Sequence, residues 1–193
     1  MTSDGGPPRL PTVAPRPSLG RTVADRLRAG WQGATRHLLL APVWGLLMSL
    51  CAFASLFLHG RAGTGHTVSV LVLYFVGGML ALPISIFVSR ALSLGQRAET
   101  RFACTFLCLT LLTIGMTAFL FAMQYRLFFS RWHAPFATRI WFYQFAFTSA
   151  GAVYQFIVMG VRLYLPIGLP ALLGMSLWLT RDDEHGRGNT LRR

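Results

Sequence analysis

A stripe of polar residues interrupts the last long apolar stretch of the chain. Spacings of 4, 3, 4 and 7 separate Gln144, Thr148, Gly151, Gln155 and Arg162. These spacings keep the five residues on one side of a helix. Arg162 has no acidic residue near it in sequence, and an unneutralised guanidinium near lipid depth favours pairing with a phosphate. The stripe predicts a polar groove for an anionic headgroup, with Arg162, Gln144, Thr148 and Gln155 as candidate ligand-binding residues.

The same stripe has a simpler interpretation. It could be the wet face of a helix lying on the membrane surface, with Arg162 extending its long side chain to the lipid headgroups. Arginines near the ends of membrane spans commonly do this. Both interpretations stay open from the sequence.

Carboxylates are absent from the long apolar stretches. The six acids are Asp4, Asp25, Glu99, Asp182, Asp183 and Glu184. Proton-driven pumps and cation carriers usually need an acid within the membrane, and paired-acid catalysis needs two. All 18 basic residues are arginine, so the lysine of a phosphate-binding P-loop is missing as well. The sequence therefore predicts no catalytic site and favours a protein that is not an enzyme.

Histidine and cysteine give no metal or cofactor pattern. The histidines stand at positions 37, 59, 66, 133 and 185, away from the middle of any apolar run, whereas membrane haem needs ligands within helices. Cys51, Cys104 and Cys108 lie inside apolar runs. Such cysteines usually act as small packing residues. We expect no metal site and no cofactor.

The composition predicts an integral membrane protein. Only 12% of the 193 residues are charged, about half the usual share in soluble domains. A net charge of +12 would suit a nucleic-acid partner. Here the arginines flank apolar runs instead, which is typical of membrane proteins that contact anionic lipid headgroups. The fold class predicted is an all-α polytopic bundle, with no nucleic-acid partner.

The apolar runs place the spans. Four transmembrane helices are predicted, at about 38–58, 68–88, 102–123 and 159–180. Residues 141–180 are too long for one crossing, because a single helix would extend about 60 Å. The stretch 141–158 is therefore either an interfacial helix or a fifth span. In the first span, Gly45 and Ser49 form a small-xxx-small pattern that favours close helix contact.

The arginine distribution favours four spans over five. With four, the segments on the N-terminal side of the membrane hold six arginines in 1–36, three in 90–101 and four in 181–193. The opposite side then holds Arg61, Arg126, Arg131 and Arg139. Five spans would spread the charge almost evenly. The positive-inside rule therefore indicates both termini in the cytoplasm, although segment length favours five spans.

The ends of the chain are polar. Residues 1–20 form a Pro/Gly-rich arm that is predicted to be disordered. Residues 21–36 have the periodicity of a basic amphipathic helix at the membrane surface, with a capping box at Thr22 and Asp25. A charged tail follows at 181–193. The expected membrane-interface anchors are Trp31, Arg36, Trp132, Trp141 and Trp178.

Two functions fit these features, and the first is favoured because the sequence shows no chemistry by which the chain would act alone. The first is a non-catalytic accessory or anchoring subunit of a membrane complex, partnered by lipids and other membrane subunits. The second is a translocator of an anionic lipid or polyprenol-linked saccharide precursor. Small four-span translocators of polyprenol-linked sugars are similar in size and span number. The absence of lysine suggests a GC-rich genome, and we expect the inner membrane of a bacterium with a cytoplasmic N-terminus.

Overall fold

The computed structural model describes residues 19–61, 63, 65–129, 135, 137–165 and 167–190, and helix is the regular structure throughout these ranges. The predicted disordered arm, apart from its last two residues, lies outside the described residues, and so does Trp132. The helices are α1 Leu19–Arg36, α2 Leu40–Leu58, α3 Thr67–Ser93, α4 Ala98–Phe129, α5 Arg139–Gln155 and α6 Gly168–Thr190. Between α5 and α6 the chain forms a π-helical turn, Phe156–Gly160, and a 3-10 turn, Val161–Tyr164.

Helix α1 packs against the end of α3 through its small residues. A Cβ at Gly30 would lie 2.7 Å from the Phe87 carbonyl oxygen, so the two helices approach closely there. Arg26 donates to the carbonyl of Ala91, 3.1 Å away, near the end of α3, where unpaired carbonyls accept from cations. The predicted helix is present. The predicted capping box is wrong, because Thr22 lies inside α1 and an N-cap residue must precede the helix.

Helix α3 is the centre of the bundle, with α1, α2 and α4 packed around it. The contact with α2 depends on small residues. A Cβ added at Gly78 would lie 3.1 Å from the Cα of Gly45, and the Ser49 hydroxyl donates to the Leu71 carbonyl at 3.0 Å. The close contact predicted from Gly45 and Ser49 is confirmed. In lipid, such packing is a main source of helix association.

Four helices are long and apolar enough to cross a membrane: Leu40–Leu58, Thr67–Ser93, Ala98–Phe128 and Arg139–Tyr164. The predicted all-α fold with four such helices is confirmed. The first three coincide with the predicted spans, although α3 and α4 extend further into polar sequence. The fourth candidate span, however, is Arg139–Tyr164 and not the predicted 159–180.

The range 159–180 is not a single helix. It begins in the π-helical turn, continues through the 3-10 turn, and reaches α6 only at Gly168. Leu165 separates the two parts with an extended backbone, φ −87° and ψ 145°. This conformation is the one that a following proline, here Pro166, imposes on its neighbour. The proline therefore explains why the helix is interrupted within a segment that hydropathy alone predicts to be one span.

The chain after α5 nevertheless runs along the whole length of α2. At the C-terminal end of α2, Ser55 lies 3.5 Å from the carbonyl oxygen of Arg162. Just before the N-terminal end of α2, Arg36 lies 3.3 Å from a carboxylate oxygen of Asp182. A helix of 19 residues is about 28 Å long, close to the roughly 30 Å of a bilayer core. Residues 162–182 therefore lead back to the end of the bundle where α1 lies.

Candidate functional site

The break after α5 positions the candidate arginine. We call residues 156–164 the π/3-10 segment; it carries Arg162 in its 3-10 turn. At Gly160 the backbone lies against the Phe156 ring, and an added Cβ would be 2.5 Å from a ring carbon. A side chain at this position would displace the ring, so glycine allows the local change in helix type. Such π-helical turns are frequent at functional sites.

Each of the three helices α2, α3 and α4 is hydrogen-bonded to the π/3-10 segment. The Ser55 hydroxyl from α2 donates to the carbonyl of Arg162 at 3.5 Å. The Tyr74 hydroxyl from α3 donates to the carbonyl of Gly160 at 2.5 Å. Tyr164 donates to Thr117 Oγ1 of α4 at 2.8 Å. These bonds satisfy polar groups that would be costly to leave unpaired in a membrane, and they fix the backbone that carries Arg162.

A buried polar chain extends from this segment into the core. Thr117 Oγ1, which accepts from Tyr164, donates to the carbonyl of Thr113 at 2.9 Å. The Trp44 indole nitrogen donates to Thr113 Oγ1 at 3.3 Å. The Tyr74 and Tyr164 rings pack with centroids 4.9 Å apart. All five side chains are at most 5% exposed, so the position of the segment depends on the packing of the core.

A cavity of about 450 Å³ lies between α2, α3, α4 and the π/3-10 segment. This volume falls in the range of about 300–1,000 Å³ that is usual for small-molecule sites. Most of its wall is apolar, and its polar groups belong to a few residues. The lining residues are Ser55, Leu56, His59, Arg61, Val70, Leu73, Tyr74, Phe121, Gln155, Phe156, Met159, Gly160, Arg162 and Leu163.

Within the part of the chain that the structure describes, no carboxylate pairs with Arg162. No aspartate or glutamate occurs in residues 100–181 or 26–98. Among the residues that the structure describes, none forms an ion pair or hydrogen bond with its guanidinium. The side chain is exposed, and the residue lines the cavity. A guanidinium placed beside apolar walls can bind a phosphate or carboxylate with two parallel hydrogen bonds.

Comparison with known proteins does not identify the chain. No family model, curated protein or solved structure matches it. The chemistry of the cavity therefore has to be derived from its own residues.

Sequence reasoning missed four polar residues of the cavity: Ser55, His59, Arg61 and Tyr74. His59 and Arg61 come from the end of α2 and the loop after it, and both line the cavity with Arg162. His59 Nδ1 lies 2.7 Å from the carbonyl oxygen of Ser55. A carbonyl only accepts, so this nitrogen carries a proton and Nε2 is left as the second ring nitrogen. Arg61 and Arg162 are 101 positions apart, and no local pattern indicates that they meet.

The four predicted ligand-binding residues do not all come together. Gln155 and Arg162 line the cavity, whereas Gln144 and Thr148 lie further back along α5 and do not. The Thr148 hydroxyl donates to the carbonyl of Gln144 at 2.5 Å, a local bond within the helix. The π-helical turn also changes the helical register between Gln155 and Arg162. A groove lined by all four residues is therefore not formed in this structure.

The predicted interface anchors occupy different surroundings. Trp31 is 66% exposed on α1 and Trp178 is 46% exposed on α6. Arg36 is held by Asp182. Trp141 is partly buried and lies under the Arg126 guanidinium, 5.8 Å from its ring centroid. The two exposed tryptophans have the accessibility that an interface anchor requires.

Proposed function

We propose that this chain is a non-catalytic multi-pass membrane protein that binds and translocates an anionic amphiphile, either a lipid or a polyprenol-linked saccharide precursor. The observation that supports this proposal is the cavity. It combines apolar walls with Arg162 and Gln155 on the same surface. The hydrocarbon chain would lie against the walls and the anionic headgroup would reach Arg162.

The energetics favour a ligand with both parts. An apolar chain gains packing against Leu56, Leu73 and Phe121, while an anion neutralises the Arg162 guanidinium. Charge-assisted hydrogen bonds are roughly twice as strong as neutral ones, and lower local polarity strengthens them further. A purely apolar ligand would leave the arginine unneutralised. Gln155 supplies an amide that can donate to the headgroup or accept from it.

The proposed orientation places the N-terminus in the cytoplasm of a bacterial inner-membrane protein. Two features support it: the arginine distribution, and the return of residues 162–182 along α2 to the end where α1 lies. In this arrangement residues 162–182 form the fourth crossing and the cavity is at the outer end of the bundle. The stretch Arg139–Tyr164, although long and apolar enough to cross, then stays on the outer side up to Arg162. Side-specific reporters fused to the two termini should both report the cytoplasmic side. A C-terminal reporter on the outer side would contradict the four-span arrangement.

Lipid binding is the first test of the proposed function. The purified protein, extracted in mild detergent, should carry a phosphorylated lipid in native mass spectrometry. Arg162→Ala should lose it, and Arg139→Ala should keep it. Arg139 is a suitable control because it is an exposed arginine of α5 outside the cavity. Retention of the same lipid by the Arg162→Ala protein would reject the site.

Transport is the second test. Proteoliposomes containing a fluorescent anionic lipid should show faster transfer between leaflets than empty vesicles, measured by quenching from one side. Arg162→Ala should reduce the transfer rate, with Arg139→Ala as the control. Binding without transfer would limit the function to binding.

A second candidate, an accessory or anchoring subunit, is favoured by the outer surface of α5. Tyr143, Phe147 and Tyr154 are 68%, 74% and 70% exposed, and spacings of 4 and 7 place them on one helical face. Aromatic residues are enriched at protein interfaces, and this face would suit another membrane subunit. A stoichiometric protein partner in native mass spectrometry, released by Phe147→Ala, would favour this function. A protein that carries lipid alone would favour the translocator.

A further inference from the structure

Ser55 joins two polar residues of the cavity. Its carbonyl oxygen accepts from His59 Nδ1 at 2.7 Å, and its hydroxyl donates to the carbonyl of Arg162 at 3.5 Å. Ser55 itself is 1% exposed, so the packing of the core fixes its position. The imidazole of His59 and the backbone of Arg162 are therefore held by one buried residue, and both residues line the same cavity.

The bond to Ser55 determines which hydrogen bond His59 can offer a ligand. Because a carbonyl oxygen only accepts, Nδ1 carries the proton. In a neutral imidazole the other ring nitrogen, Nε2, then has a free lone pair and accepts hydrogen bonds. In the part of the chain that the structure describes, no residue bonds to this nitrogen. His59 therefore presents an acceptor to a ligand in the cavity.

The other polar groups of the cavity divide into donors and acceptors. Arg162 only donates, whereas the amide of Gln155 both donates and accepts. The hydroxyl hydrogens of Ser55 and Tyr74 are already donated to the backbone of the π/3-10 segment. An ionised phosphodiester only accepts, so it uses the donor of Arg162 and leaves the acceptor of His59 unused. A ligand that satisfies both must carry a donor beside its anion.

We infer that the headgroup bound here carries free hydroxyl groups beside its phosphate, as a glycerol phosphate or sugar phosphate headgroup does. This inference rests on the proposed function and specifies its headgroup. The phosphate accepts from Arg162, and a hydroxyl donates to His59 Nε2. An ammonium group would also donate, but it would bring positive charge beside Arg162, and no lining residue of the cavity is acidic. A hydroxyl donates without adding charge.

The test compares two lipids with identical chains and one negative charge each, since both are phosphodiesters. Dioleoyl phosphatidylglycerol has two hydroxyls on its headgroup, and dioleoyl phosphatidylethanol has none. The full-length protein is placed in phosphatidylcholine nanodiscs containing equal fractions of the two, at about pH 8, where histidine is usually neutral. Native mass spectrometry then gives the ratio of the bound lipids. We expect phosphatidylglycerol to be preferred about fivefold, as one neutral hydrogen bond provides.

Variants of His59 separate its two ring nitrogens. His59→Asn keeps an amide near the position of Nδ1 but has no atom at that of Nε2, so the preference should be lost. His59→Gln places an amide near the position of Nε2 and should retain the preference. His66→Asn is the matched control, because His66 is an exposed histidine outside the cavity. Arg162→Ala should weaken the binding of both lipids.

Equal binding of the two lipids, with both weakened in Arg162→Ala, overturns the hydroxyl headgroup and leaves the proposed function intact. A preference that persists in His59→Asn overturns the role of His59 and assigns the difference to headgroup size. Binding that is unaffected by Arg162→Ala overturns the proposed function as well.

Two further arms distinguish the sources of such a headgroup. Dioleoyl phosphatidylinositol carries a ring of hydroxyls, so tighter binding than phosphatidylglycerol supports a sugar-like headgroup and weaker binding supports glycerol. Free glycerol 3-phosphate tests the need for the hydrocarbon chain. If it displaces phosphatidylglycerol at equal concentration, the amphiphile is rejected.

Discussion

The contact between α3 and α4 at Gly77 offers a direct test of how the core positions the site. A Cβ placed on Gly77 would overlap Thr117 Oγ1 and lie 3.0 Å from the Thr117 Cα. Thr117 accepts the hydroxyl of Tyr164, which belongs to the π/3-10 segment. Gly77→Ala therefore acts on the helix packing and on the segment that carries Arg162.

The structure gives the size of the effect. Raising the distance to the Thr117 Cα from 3.0 Å to an ordinary 3.4 Å requires α3 and α4 to separate by about 0.4 Å. Thr117 Oγ1, which the added Cβ would overlap, must in addition rotate away and lose its bonds. Overpacking of this kind costs about 1–3 kcal/mol. Replacing glycine by alanine within a helix stabilises the helix by up to about 1 kcal/mol. Gly115→Ala is the matched control, because Gly115 lies in α4 with open space around its Cβ position.

We expect Gly77→Ala to be less stable than Gly115→Ala by about 1–3 kcal/mol, since the helix-propensity term is common to both. The free energy of unfolding would be measured by titrating SDS into mixed micelles, with far-UV circular dichroism as the signal. The Arg162-dependent lipid should also bind less well to Gly77→Ala. Equal stability of the two variants would refute the close contact and its link to the cavity.

Two further predictions concern single contacts. Tyr74→Phe removes the donor to the Gly160 carbonyl and should cost about 1 kcal/mol of unfolding free energy. The control Tyr154→Phe, at an exposed position, should stay within about 0.5 kcal/mol of wild type. Equal losses of stability in the two variants would argue against the hydrogen bond from Tyr74. Asp182→Asn removes the pair with Arg36, whose side chains are 25% and 56% exposed, so the loss should be at most about 1 kcal/mol and should shrink in high salt. A salt-independent loss would indicate that the carboxylate acts through the buried His37, whose Nε2 lies 3.5 Å from it.

The sequence predicts the first three long helices well because each is a continuous apolar run with polar ends. The predicted spans at 38–58, 68–88 and 102–123 each lie within about two residues of, or inside, an observed helix. Hydropathy is a property of the segment itself, so no tertiary information is needed. The close contact of Gly45 is predictable for the same reason, because small residues at a fixed spacing mark a surface for close approach.

The C-terminal part could not be predicted in the same way. Residues 141–180 are apolar throughout, and composition does not show where a helix changes from α to π to 3-10. That change depends on partners from other helices, namely Ser55, Tyr74 and Thr117, which bond to the π/3-10 segment. The prediction that Gln144 and Thr148 share a polar face with Arg162 assumed one regular helix. The π-helical turn breaks that assumption just before Arg162.

The backbone of the candidate site is therefore held in place by the side chains of the core. A 3-10 turn leaves backbone groups that a regular helix would pair internally, and in lipid these groups need other donors. The chain supplies donors from two of the three central helices, through Ser55 and Tyr74. Arg162 then stands where α2, α3 and α4 meet and not along a free helix face. These bonds fix the backbone at Gly160 and Arg162, so the position of the exposed Arg162 side chain is set by the packing of the core.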